Sequence, residues 1–111
     1  MEPAERIRLA LQNEYGEDQQ RIAETGVEIV SLLLRKNNDY GGSVFSEPVL
    51  APEMPVLSAI QCRMSDKIAR LRNLFSGAEA HVDELPGDTM RDLAGYAIIW
   101  LAQQERLLNE E

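Results

Sequence analysis

From Val56 to about Phe75, the apolar residues Leu57, Ile60, Met64, Ile68, Leu71 and Leu74 or Phe75 recur at intervals of three and four. That period lines one side of an α-helix and does not suit a strand, whose side chains alternate. The other side of the same helix is basic, with Arg63, Lys67, Arg70 and Arg72. Gly77 ends it.

The rest of the chain follows the same helical grammar. Pro3 to Asn13 reads as a short helix with Ile7, Leu9, Ala10 and Leu11 on its apolar side, and Gly16 breaks it. A second helix is predicted from about Glu17 to Lys36, where Ile22, Val27, Ile29, Val30, Leu32, Leu33 and Leu34 form an apolar face that widens toward the end. Asn37 and Asn38 precede Tyr40-Gly41-Gly42, a helix stop. Residues 42–55 hold Pro48, Pro52 and Pro55 with few periodic apolar positions and read as a long crossover loop. A last helix runs to about Leu108, with Asp83 as N-cap and Pro86 in the first turn. No β-rich alternation or internal repeat competes, so the expected architecture is an all-α four-helix bundle.

With 111 residues and 44% hydrophobic content, the chain fits one domain. Its net charge of -8 disfavours non-specific attraction to nucleic acid or to an anionic membrane. Cys62 is the only cysteine, so no disulfide or thiolate zinc site is expected within the chain. No apolar run approaches the ~20 residues of a membrane span. A cytoplasmic setting is the default that follows. Residues 93 to 101 are apolar nearly all round the helix, which favours a homodimer or higher homo-oligomer over a monomer with a central core helix.

Three polar clusters flank the apolar positions. The first, Lys36, Asp39 and Tyr40 with Gly41 and Gly42 behind them, offers a point charge for phosphate and close backbone approach; it also reads as an ordinary helix C-terminus. The second is Arg63, Asp66, Lys67 and Arg70, which share one face at i, i+3, i+4 and i+7 and suit a nucleotide phosphate, or a solvated salt-bridge ladder. The third is Glu84, Asp88 and Asp92, stacked every four residues beside Leu93, Tyr96, Ile98, Ile99 and Trp100. Aligned carboxylates repel, and a divalent cation such as magnesium would relieve this. Alternatively, Asp88 complements the helix dipole and Asp92 pairs with Lys67 or Arg70. His81 is expected at the surface, as are Glu24 and Glu28.

The ordered motifs K-N-N-D-Y-G from Lys36, R-M-S-D-K-I-A-R-L from Arg63 and E-L-P-G-D-T-M-R-D-L-A-G-Y-A from Glu84 carry a family resemblance. Over residues 20–104 the chain resembles the nucleotide-modification-associated domain 1 family, small proteins found largely in phages and bacteria. The resemblance implies a fold similar to the MazG-like all-α nucleoside triphosphate pyrophosphatases, which cleave between the α and β phosphates with magnesium. It implies Lys36, Asp39 and Tyr40 as ligand contacts, with Asp66, Lys67 and Arg70 beside them. Arg63 is expected to join Arg70 among the ligand contacts, and Asp66 and Lys67 are the expected catalytic residues. Glu84, Asp88 and Asp92 would be the magnesium ligands, and a phage-encoded chain would act in the host cytoplasm.

The expected function is therefore a nucleotide-binding protein acting as a magnesium-dependent pyrophosphohydrolase in nucleotide modification or pool control. MazG-like enzymes present E-x-x-E on one helix, whereas Glu24 and Glu28 stand four apart. That spacing favours an alternative, a module that sequesters a nucleotide or nucleotide-derived signal without cleaving it. A structural oligomer with no ligand is the third reading.

Overall fold

The computed structural model describes residues 16–39, 42–77 and 85–110, together with Glu2, Glu5, Arg6 and Arg8. Among the described residues the chain is all-α, with no strand. Its helices are α1 (Glu17–Asp39), α2 (Val56–Phe75) and α3 (Pro86–Asn109), and a single 3-10 turn covers Ser43–Phe45. Glu5, Arg6 and Arg8 are helical, in keeping with the short helix expected over 3–13. The rest of that segment lies outside the described residues, apart from Glu2. The chain forms two compact units, Met1–Gly41 and Gly42–Glu111.

In the first unit α1 opens with Glu17 and Asp18 and carries Lys36 in its last turn, each charge placed where the helix dipole favours it. It continues three residues past the predicted end at Lys36. Val27 is its buried residue, flanked by the half-buried Ala23, Gly26, Val30 and Leu33. These positions repeat at three and four along one stripe. Glu24 and Glu28 are exposed, as expected.

The second unit begins with Gly42 at φ 73, a left-handed conformation that glycine adopts without steric cost. The expected loop over 42–55 is a succession of tight turns. The Phe45 amide donates to the Gly42 carbonyl at 3.0 Å, Ala51 to Pro48 at 3.1 Å and Met54 to Ala51 at 3.0 Å. Prolines at 48, 52 and 55 forbid a continuous helix there, so the backbone satisfies its polar groups turn by turn. The 3-10 turn packs on α2.

α2 and α3 form an antiparallel αα-hairpin. Lys67 meets Asp92 and Gln61 meets Trp100, so numbers fall along one helix as they rise along the other. Gly77, at φ 82, terminates α2, with its amide 3.5 Å from the Leu74 carbonyl. A Cβ there would touch nothing within 4 Å, so strain at this position is purely conformational. Gly77→Ala is expected to destabilise the hairpin by ~1 kcal/mol, the cost of an L-residue in this region. Urea denaturation of the two proteins at equal concentration measures it.

α3 starts two residues later than an Asp83 cap would place it. Its N-cap is Leu85, extended at φ -79 and ψ 144, with no side-chain cap bond. Pro86 explains the shift, because a residue before proline is driven to extended backbone and proline itself suits the first helical position. The Asp88 amide closes the first turn on the Leu85 carbonyl at 3.0 Å.

The seam between α2 and α3 follows Ile60, Met64, Lys67, Leu71 and Leu74 on α2, all buried or half-buried. Ile68, expected in this stripe, is 54% exposed, and Phe75 is exposed while Leu74 faces inward. The steps of four, three, four and three keep the 3.5-residue repeat that lets paired helices stay in register. That repeat selects Lys67 over its apolar neighbour. The facing residues of α3 are Thr89, Asp92, Tyr96, Ile99 and Gln103 at the same repeat, again buried or half-buried.

Candidate functional site

The seam is unusually polar for its position. Where a helix pair ordinarily alternates aliphatic residues, this one inserts Lys67 from α2 and Thr89, Asp92 and Gln103 from α3. The Lys67 ammonium lies 3.1 Å from an Asp92 carboxylate oxygen, with the two side chains 22% and 38% exposed. The aliphatic stem of lysine can cover apolar surface while its head reaches the carboxylate at the edge. Partial exposure holds the pair to ~1 kcal/mol, the upper end of the range for surface pairs.

Lys67 stands at one edge of the seam. Arg63, Asp66 and Arg70 occupy neighbouring positions on the same flank of α2 and are exposed. Arg72 is two residues beyond Arg70, about 200° around the helix, and leaves this flank. The basic face predicted for α2 thus divides: Lys67 turns into the seam, Arg63 and Arg70 line its rim, and Arg72 points elsewhere. Asp88 and Asp92 sit one turn apart on α3 on the corresponding flank. Asp88 lies in the first turn, 3.8 Å from Arg91.

Of the other predicted residues, Lys36 lies exposed in the last turn of α1, and Asp39 is the final residue of that helix. Tyr40, His81 and Glu84 lie outside the described residues, as does the Asp39 side chain. The expected carboxylate triad is therefore represented by Asp88 and Asp92, each beside a cationic side chain. Among the described residues, no grouping of three or more His, Cys, Asp or Glu side chains is disposed to hold a metal ion.

Three polar features escaped the sequence reading. Thr89 is fully buried. Gln103 is 5% exposed, and its Oε1 has no hydrogen-bond partner. Trp100 donates its indole N–H to the Gln61 amide oxygen at 3.3 Å, joining the helices near the start of α2. The 3.5-residue spacing of Thr89, Asp92, Tyr96, Ile99 and Gln103 was visible in the chain, but polar side chains masked it in a search for apolar periodicity.

The fold and site define an all-α chain whose hairpin carries a cationic rim and a polar, ion-paired seam. Compared with family models, curated proteins and solved structures, the chain matches none of them. No helix among the described residues is long and apolar enough to cross a membrane.

Proposed function

We propose that this chain is a nucleotide-binding, MazG-like all-α protein that works as a homo-oligomer in the cytoplasm. Its phosphate-bearing ligand is held at the rim of the α2–α3 seam by Arg63, Lys67 and Arg70. The observation that carries this reading is the placement of Lys67, half-buried at the seam edge and flanked by two arginines, in a chain of net charge -8. Local positive charge against a negative background selects a small anion that one cluster can neutralise, rather than a long polyanion. Arginine forks suit phosphate oxygens bidentately, while Lys67 supplies a point charge close to them.

Asp92 competes for Lys67 when no ligand is present. An incoming phosphate would take over that ammonium, leaving Asp92 exposed enough at the rim to be solvated. This exchange favours capture of a nucleotide or nucleotide-derived signal over its cleavage. Magnesium-dependent pyrophosphohydrolysis is the second reading, favoured by the one-turn spacing of Asp88 and Asp92 beside the cationic rim. In the arrangement described, both carboxylates face cations, so they do not fit a metal site and no catalytic step is assigned to one.

The test is a thermal-shift screen against nucleotides, with and without magnesium, followed by product analysis of every stabilising compound. A stabilising nucleotide is expected, and Lys67→Met should weaken its binding by ~10-fold or more, the loss of one charge-assisted contact. Arg72→Ala, off the rim, should leave binding unchanged. Recovery of intact nucleotide supports capture, and release of monophosphate and pyrophosphate supports the hydrolase. No shift for any compound would overturn the nucleotide reading.

A further inference from the structure

A second stripe of the hairpin is only partly covered: Ala94, Ala97 and Gln104 on it are half-buried, while its larger apolar residues are exposed. On the side of α3 turned away from α2, Met90, Ala94, Ala97, Leu101, Gln104 and Leu108 follow one another at four, three, four, three and four. This is the repeat of a left-handed helix pair. Leu101 is 58% exposed and Leu108 62%, and Met90 and Ile98 are exposed beside them. Meanwhile the described residues of the hairpin bury only three apolar side chains, Ala59, Ile60 and Leu71, a small core for a unit of this size.

Two properties of this face specify its occupant. The first is volume. The stripe reads large, small, small, large, polar, large, and antiparallel self-pairing sets Met90 against Leu108, Ala94 against Gln104 and Ala97 against Leu101. Each small residue then meets a longer one, whereas parallel pairing would set alanine on alanine and leave a gap. The second is charge. Arg91, Ile98 and Glu105 flank the stripe one heptad apart. In the antiparallel pair Ile98 faces its own copy and Arg91 faces Glu105 of the other chain, twice by symmetry.

Within one helix Arg91 and Glu105 are ~21 Å apart and cannot meet. They also stand against the helix dipole, with the cation toward the N-terminal end and the anion toward the C-terminal end. Exposed Arg91 is 3.8 Å from Asp88, a weak local contact that leaves it available. We propose that the Met90–Leu108 face of α3 pairs antiparallel with the same face of a second copy of this chain, in the register that joins Arg91 to Glu105. This deepens the oligomeric part of the reading above and does not depend on the nucleotide.

The test is analytical ultracentrifugation of the full chain and four variants, with circular dichroism to verify helix content. The parent is expected to be a dimer, and Leu101→Asp a folded monomer at concentrations where the parent pairs. Arg91→Glu and Glu105→Arg should each weaken pairing by ~10-fold, since two attractions become two repulsions. The double reversal R91E/E105R should return it to within ~3-fold of the parent. Each reversal places its charge where the helix dipole prefers it, so weaker pairing would not reflect a weaker helix.

A monomeric parent, or a dimer indifferent to Leu101→Asp, would overturn the proposal. Single reversals that weaken pairing without rescue by the double would overturn the antiparallel register. Should Leu101→Asp fail to fold, the surface charge reversals decide the matter. A monomer that binds nucleotide would overturn the pairing and spare the nucleotide reading, and a dimer with no nucleotide response would do the reverse.

Discussion

Ile60→Ala is expected to lower the stability of the hairpin by ~3 kcal/mol, the middle of the range for truncating a buried aliphatic side chain. Ile60 is 1% exposed and is the largest apolar side chain fully buried among the described residues. It sits on the seam side of α2, one turn before Met64, where backbone on both helices limits collapse into the space left behind. Both the lost burial and the remaining cavity contribute. Urea denaturation followed by Trp100 measures the effect cleanly, because Trp100 is the only tryptophan and bonds across the seam to Gln61. Parent and variant must be compared at one protein concentration, since pairing adds to apparent stability. A loss below ~1 kcal/mol, as for an exposed site, would show that the α2–α3 seam is not the core of this unit.

Gln103→Leu is expected to act in the opposite direction, raising stability by ~1–2 kcal/mol. A buried amide oxygen without a donor has lost its hydrogen bonds to water and regained none, a cost of ~1–3 kcal/mol. Leucine has nearly the same volume and removes that cost without opening a cavity. The same denaturation experiment reads the gain. Destabilisation would instead show that Gln103 Oε1 accepts a bond from a buried water or another group, making the residue a structural anchor.

These two residues also mark how far the sequence could be read. Ile60 was legible: it is apolar, it falls on the three-and-four spacing, and it is buried. Gln103 was not, because a single glutamine in the C-terminal half of a helix gives no sign of which way it faces. Ile68 and Lys67 show why apolarity alone misleads. An apolar stripe drawn through Ile68 gives an acceptable helix, yet the repeat that keeps two antiparallel helices in contact passes through Lys67. Pairing geometry overrode residue type, and the long lysine stem made the substitution tolerable.

The candidate site was readable to a similar degree. The i, i+3, i+4 and i+7 spacing placed Arg63, Asp66, Lys67 and Arg70 together because they share one helix, where sequence separation fixes angle. The charge run contained the Lys67–Asp92 contact only as one of two options, since it joins helices through a loop whose length leaves register open. The same holds for Asp88, expected either as a metal ligand or as a complement to the helix dipole, and found in the first turn of α3 beside Arg91.

By itself the sequence determined what depends on neighbours along the chain. Periodicity set the three helices, Pro86 fixed the start of α3, and Gly42 and Gly77 supplied the left-handed positions that open the 3-10 turn and end α2. These are short-range steric and hydrogen-bonding constraints, complete within a turn or two. Only the tertiary structure decided which residues on each helix face inward, because burial depends on the partner surface. It put Lys67 and Asp92 into contact, buried Thr89 and Gln103, and left Met90, Leu101 and Leu108 of α3 exposed, since the heptad register of one helix has meaning only against another.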